Sequence, residues 1–204
     1  MKSMKKALGV LALSLAGTTS ATAGLLSIEG GQAGTLPGNH NPSGGITKPG
    51  LQVTYGGNLK ADANVNLTYE FLGSEASFEN IFLTINGQSF NNKQSQAGQE
   101  IFDSVLQGNW LNFSFQTPHT TVANGNNNDN NIHQADLLKP SFFLAAAGEN
   151  SFYIGLNDDG GHFDYDFDDM VLKVTATKTP TPVPVPGTVA LIGLGLLALR
   201  KRNR

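Results

Sequence analysis

The sequence predicts an all-β protein. Its ectodomain reads as an antiparallel β-sandwich or jelly roll, preceded by a signal peptide and followed by a short C-terminal transmembrane helix. Three observations predict the β class. Apolar residues alternate with polar ones at Val65, Leu67, Tyr69 and Phe71, at Leu111, Phe113 and Phe115, and at Phe152, Ile154 and Leu156. That period of two marks strands with one buried and one wet face. No stretch of about 11 residues or more between leader and tail carries helical periodicity. The composition is rich in Gly, Asn, Ser and Thr and contains no Cys, which suits turn-rich β structure.

The elements follow in chain order. Lys2, Lys5 and Lys6 precede an apolar run from Ala7 to Ala16, and Ala21-Thr22-Ala23 supplies a small-x-small cleavage pattern. This order describes a secretory signal peptide over residues 1–23, cut after Ala23, rather than a buried N-terminal helix. It makes the general export machinery and signal peptidase the first partners of the chain.

Removing leader and tail leaves roughly 160 residues, enough for one domain with a proper core. The ectodomain is placed at residues 24–176. Gly30 to Gly50 reads as an irregular loop or loosely ordered arm. Besides the three alternating segments, strands are expected at Leu51–Tyr55, Ile81–Ile85, Phe142–Ala145 and Met170–Thr175. Asn86-Gly87 signals a tight turn, with Ser89-Phe90 starting the return strand. The total is about seven to nine short strands, and no internal repeat is present. Gln134–Leu138 has room for one helical turn. The Asn-rich segment Asn124–Asn131 reads as a solvated hairpin tip, with ion or sugar binding through its amides as the alternative.

Charge narrows the partners. All 16 acidic residues lie between leader and tail, but only six of the 13 Lys and Arg do, so this piece carries a net charge of −10. Nucleic acid is excluded as a partner, because phosphate binding needs a cationic surface. Divalent cations become candidates. The lack of Cys removes disulfides, thiolate nucleophiles and sulfur-ligated metals together.

One constellation carries chemistry. Asp158, Asp159, Asp164, Asp166, Asp168 and Asp169 put six carboxylates into 12 residues, with no Lys or Arg before Lys173. Phe163, Tyr165 and Phe167 share one parity and Asp164, Asp166 and Asp168 the other. On a strand, three rings would enter the core and three carboxylates would line one face about 6.6 to 7 Å apart. A bulge near Asp168-Asp169 would then be needed to return Met170, Leu172 and Val174 to the core. Such a row suits Ca²⁺, held by Asp158 or Asp159 with Asp164, Asp166 and Asp168, and with Asp169 as a further member. It is not an EF-hand, since Asp169 falls where the loop needs Gly. The other reading is a solvated acidic turn whose Asp side chains cap backbone groups.

The tail is an address. A Thr/Pro/Val linker over residues 177–187 leads to an apolar run from Thr188 to Leu199 and the basic end Arg200-Lys201-Arg202-Asn203-Arg204. The run is shorter than the ~20 residues that span a bilayer, a length that also fits a core helix. Four cations in the last five residues favour a segment that stops in the membrane with its end in the cytoplasm. Linker, Pro184-Val185-Pro186, short apolar helix over residues 188–204 and basic end resemble the PEP-CTERM sorting signal of Gram-negative bacteria. Val185 stands where that signal usually has Glu. The resemblance implies handling by an exosortase-like membrane protease, transient anchoring in the inner membrane, cleavage near the Pro-x-Pro, and release to the cell surface or an exopolysaccharide matrix. No Leu-Pro-x-Thr-Gly of the sortase type precedes the apolar run.

A second resemblance covers parts of the ectodomain. Asp164-Tyr165-Asp166-Phe167-Asp168-Asp169-Met170-Val171 and the earlier Phe71–Asn80 are similar to elements of uncharacterised PEP-CTERM ectodomains, which implies a shared β fold. For function, the expectation is a non-catalytic surface or matrix protein, Ca²⁺-binding and structural or adhesive. The alternative is a carbohydrate-binding module stacking sugars on Trp110 or Tyr153. An exported hydrolase fits less well, because Asp166 and Asp168 on one face do not flank a cleft. His40, His119, His133 and His162 have no metal-ligand spacing, and no nucleophile elbow, His-Glu-x-x-His or phosphate loop is present.

Overall fold

The computed structural model describes residues 24–36, 50–127, 139–159 and 167–180. Among these it holds thirteen strands and no helix. The first seven are β1 (Leu26–Glu29), β2 (Gln32–Thr35), β3 (Gln52–Tyr55), β4 (Asn58–Ala61), β5 (Val65–Gly73), β6 (Ile81–Thr84) and β7 (Ser89–Asn91). The rest are β8 (Glu100–Val105), β9 (Phe113–Gln116), β10 (Thr121–Ala123), β11 (Ser141–Gly148), β12 (Ser151–Asn157) and β13 (Met170–Lys178). They form a seven-stranded sheet ordered β2-β3-β11-β12-β13-β5-β8, a four-stranded sheet ordered β10-β9-β6-β7, and a β1-β4 ribbon. Every strand pairing among the described residues is antiparallel.

The two larger sheets meet across an aromatic core. β5 alternates as the sequence predicts, with Val65, Leu67, Tyr69 and Phe71 buried. Tyr69 lies against Phe82 of β6 at 5.0 Å between ring centroids, and Phe71 against Phe90 of β7 at 5.7 Å. Phe142 of β11 meets Phe113 at 5.5 Å and Phe115 at 5.8 Å. Each fully buried ring contributes about 1.5–3 kcal/mol by leaving water.

A second, smaller cluster covers the other face of the large sheet. Leu36, Val53, Tyr55, Phe143, Ala145 and Phe167 build it. This explains why β11 reads as a continuous apolar run, Phe142 and Phe143 both being fully buried. It also explains Gly155 on β12. A Cβ there would lie 2.2 Å from the Phe143 ring and 2.5 Å from the Phe167 carbonyl, so only hydrogen fits.

Several elements differ from expectation. Residues 32–35, expected within an irregular loop, form β2 against β3. β13 continues to Lys178, beyond Thr175, pairing along β5 as far as Val65. Its register irregularity falls between Val171 and Leu172 rather than at Asp168-Asp169. The Asn86-Gly87 turn joins β6 to β7 with Gly87 at φ 81°. Asn86 also donates through Nδ2 to the Phe102 carbonyl at 2.8 Å, while Phe102 N donates to Gln88 Oε1 at 2.9 Å. Side-chain amides thereby occupy backbone groups along the outer edge of β8, a position otherwise open to another strand.

The Asn-rich loop is not a solvated tip where the structure describes it. Asn124 accepts from Leu59 N at 2.7 Å and donates to the Leu59 and Leu111 carbonyls at 2.7 and 2.8 Å. Asn127 donates to the Gly57 and Phe142 carbonyls and accepts from Phe142 N. Asn58 Oδ1 accepts from Gly125 N and Asn127 N. These amides fasten β4 and β11 to each other and to Leu111, just before β9. Residues 128–131 and the helical turn expected at Gln134–Leu138 lie outside the described residues.

Candidate functional site

Three short segments bring polar groups together where β12 ends, β13 begins, and the β5–β6 connection crosses to the other sheet. Asp158 directly follows β12 and Asp168-Asp169 directly precede β13, whose strands pair from Leu156↔Met170 onward. That pairing alone returns Asp158 to the neighbourhood of Asp169. Asp158 N donates to Asp169 Oδ2 at 2.8 Å. Asp159 N donates to Asn157 Oδ1 at 3.2 Å, an Asx-type closure of the turn.

The β5–β6 connection closes over this pair. Glu75 N donates to the Asp168 carbonyl at 3.1 Å, and Ser74 Oγ donates to the Asp169 carbonyl. Asn80 Nδ2 donates to Asp158 Oδ2 at 2.6 Å. Asn80 is itself held at both backbone groups by Asn92, whose Oδ1 accepts from Asn80 N at 2.8 Å and whose N donates to the Asn80 carbonyl at 3.1 Å. The nearby ammonium of Lys93 donates to the Ala76 carbonyl.

Burial divides the acids. Asp168 is 0% exposed and Asp158 3% exposed, whereas Asp159 and Asp169 are half-buried. Burying a carboxylate carries a large desolvation cost that compensating partners must offset. Asn80 is 0% exposed too, and its Oδ1 has no hydrogen-bond partner. Phe167 enters the smaller core as its parity predicted, packing on Tyr55 and Phe143. Asp168 stands before the strand rather than on it. Asp164 and Asp166 lie outside the described residues, as do Phe163 and Tyr165.

The site thus gathers Asp158, Asp168 and Asp169 from the expected set around one joint of the fold. Sequence reasoning missed Ser74, Asn80 and Asn92. Their signal was the polar run after β5 in the Phe71–Asn80 element, but its pairing with the acidic turn is tertiary. Among the described residues no three His, Asp or Glu side chains share one point suited to a metal. The chemistry available is oxygen donation from carboxylates and one amide.

The aromatic candidates separate. Tyr153 is half-buried and packs on the smaller core. Trp110 remains 38% exposed and is bridged to Lys60 across the β4 edge. Lys60 Nζ lies 5.8 Å from the Trp110 ring centroid and 2.6 Å from Glu29 Oε1. The hydrogen bond and charge of Glu29 raise the Lys60 pKa.

The processing residues Ala23, Pro184, Val185, Pro186, Arg200, Lys201 and Arg202 lie outside the described residues, as does the expected C-terminal helix. Among the described residues no helix is long and apolar enough to cross a membrane. Comparison with known families matches residues 182–204 to the PEP-CTERM protein-sorting motif. No curated protein and no solved structure matches the chain. The motif implies export, transient membrane anchoring, processing by an exosortase-type membrane enzyme, and release to the cell surface.

Proposed function

We propose that this chain is a non-catalytic protein of the cell surface or exopolysaccharide matrix, delivered there by its C-terminal sorting signal. The match over residues 182–204 carries the reading. Signal peptidase cuts after Ala23 during export. The apolar run from Thr188 then holds the chain in the inner membrane, with Arg200, Lys201 and Arg202 retained on the cytoplasmic side. An exosortase-type enzyme cleaves near Pro184-Val185-Pro186 and frees the ectodomain. The shared core between the two larger sheets supports a β-sandwich for that ectodomain.

Ca²⁺ is the ion this reading assigns to the acidic turn. Asp158, Asp168 and Asp169 offer hard oxygen donors, and the partnerless buried oxygen of Asn80 beside Asp158 fits such an ion. Asp159, Asp164 and Asp166 complete the expected set. The ion would stiffen a structural or adhesive module that has no disulfide to do so.

Fractionation tests the sorting reading. In cells carrying an exosortase, the protein leaves the membrane fraction and accumulates at the surface or in the medium. Deleting the exosortase gene keeps it in the membrane. Equal release with and without the enzyme contradicts the proposal.

A second reading, as a carbohydrate-binding module, rests on Trp110. Its exposed ring, with Lys60 and Glu29 alongside, offers stacking and hydrogen bonding on one surface. Binding on a glycan array that is lost in Trp110→Ala supports it, and an array with no signal removes it.

A further inference from the structure

Asn80 brings to the acidic joint a buried oxygen whose hydrogen-bonding capacity the fold leaves unused. Its amide orientation follows from its neighbour. A carboxylate accepts only, so the group facing Asp158 Oδ2 at 2.6 Å is the Asn80 NH₂. Flipping the amide would set two acceptors against each other. Oδ1 therefore occupies the other position, within one amide width of the Asp158 contact. It is buried without a hydrogen-bond partner in a side chain that is 0% exposed. An orphaned buried acceptor is costly. Asn92 fixes the Asn80 backbone at its N–H and carbonyl, and the bond to Asp158 holds the side chain inward.

We propose that Asn80 Oδ1 is a ligand of a bound divalent cation, shared with the carboxylates of Asp158 and Asp168, and that this cation ties the two sheets together. The inference rests on the Ca²⁺ reading of the acidic turn and adds to it a neutral ligand from the opposite sheet. Asn80 directly precedes β6 of the four-stranded sheet, while Asp158 and Asp168 flank β12 and β13 of the seven-stranded sheet. A carbonyl-type oxygen with two carboxylates is a donor set that Ca²⁺ accepts readily. The cation supplies Oδ1 with the partner the protein does not. The Asn80–Asp158 hydrogen bond and the shared aromatic core hold the same two sheets together without the ion. The cation acts on a joint that is already formed.

The test uses the full chain in detergent micelles after dialysis against EDTA, titrated with CaCl₂ and followed by calorimetry, melting and amide hydrogen exchange. Wild type is expected to bind and to melt at a higher temperature with Ca²⁺. Exchange is expected to slow together in residues 80–84 and 154–158, which belong to different sheets. Asn80→Leu should weaken Ca²⁺ binding at least tenfold. Asn80→Asp, which keeps the shape, should melt lower than wild type in EDTA and recover more than wild type on adding Ca²⁺. No Ca²⁺ effect on the wild type overturns both the ion reading and the role of Asn80. A wild-type response with unchanged affinity in Asn80→Leu, or with no extra recovery in Asn80→Asp, overturns the role of Asn80 alone. Slower exchange confined to one sheet overturns the bridge between sheets.

Discussion

The side-chain amide of Asn124 pairs with both backbone groups of Leu59, taking the place of a strand residue. Leu59 N donates to its Oδ1 and its Nδ2 donates to the Leu59 carbonyl, each at 2.7 Å, with a third bond to the Leu111 carbonyl at 2.8 Å. Asn124→Ala leaves all three backbone groups without that partner. The expected loss is about 2–3 kcal/mol, read as a lower urea midpoint with unchanged slope. A midpoint within error of wild type would show that water replaces the amide without cost.

Gly155 tests the two-sided burial of the large sheet. Gly155→Ala places a methyl against the Phe143 ring and the Phe167 carbonyl, both far inside contact distance. Overpacking of this kind costs about 1–3 kcal/mol. Thermal melting should detect it. An unchanged melting temperature would mean that the Leu36–Phe167 cluster is loose enough to move aside.

Tyr55 makes the same cluster sensitive to alkali. Burial pushes its phenol from 10.0 up to about 12, and its OH donates to the Thr35 carbonyl at 3.1 Å. The folded value lies above the unfolded one, so its contribution to stability is complete below pH 10.0 and is lost as pH rises toward about 12. Wild type should lose stability across that window more steeply than Tyr55→Phe. Parallel curves for the two proteins would contradict the assignment.

Asp103 works in the acid range with the same sign. Desolvation raises its pKa above 3.8, against a smaller lowering by the Ser104 N–H. Protonation is therefore favoured by folding. The associated stability is present below pH 3.8 and lost as pH rises through the raised value. Asp103→Asn keeps the Ser104 bond and removes the charge that also bears on the buried Tyr69 hydroxyl. It should melt higher than wild type at neutral pH, and the gap should close in acid. A variant less stable than wild type at neutral pH would show the charge to be useful there.

What the sequence disclosed follows from where side chains meet water. β5 and β9 were legible because one face is buried against the aromatic core, and the hairpin at Asn86-Gly87 because its turn chemistry is local; β12 showed its alternation although both its faces are covered. β8 was not, since Phe102 faces outward at 54% exposure while the polar Asp103 points inward, which inverts the expected pattern. β1 and β4 are four residues each, too short for a period to show. The acidic turn was visible as charge, whereas the roles of Asn58, Asn80, Asn124 and Asn127 were not. An Asn that bolts two strands has the same local sequence as one that ends a turn, and only the partner distinguishes them.

Delivery is tested most directly by the mass of the protein recovered from the surface or medium of exosortase-bearing cells. The prediction is a chain that begins at Gly24 and ends near Pro184-Val185-Pro186, without the apolar run and the basic end. A surface or released form that still carries Arg204 would contradict it.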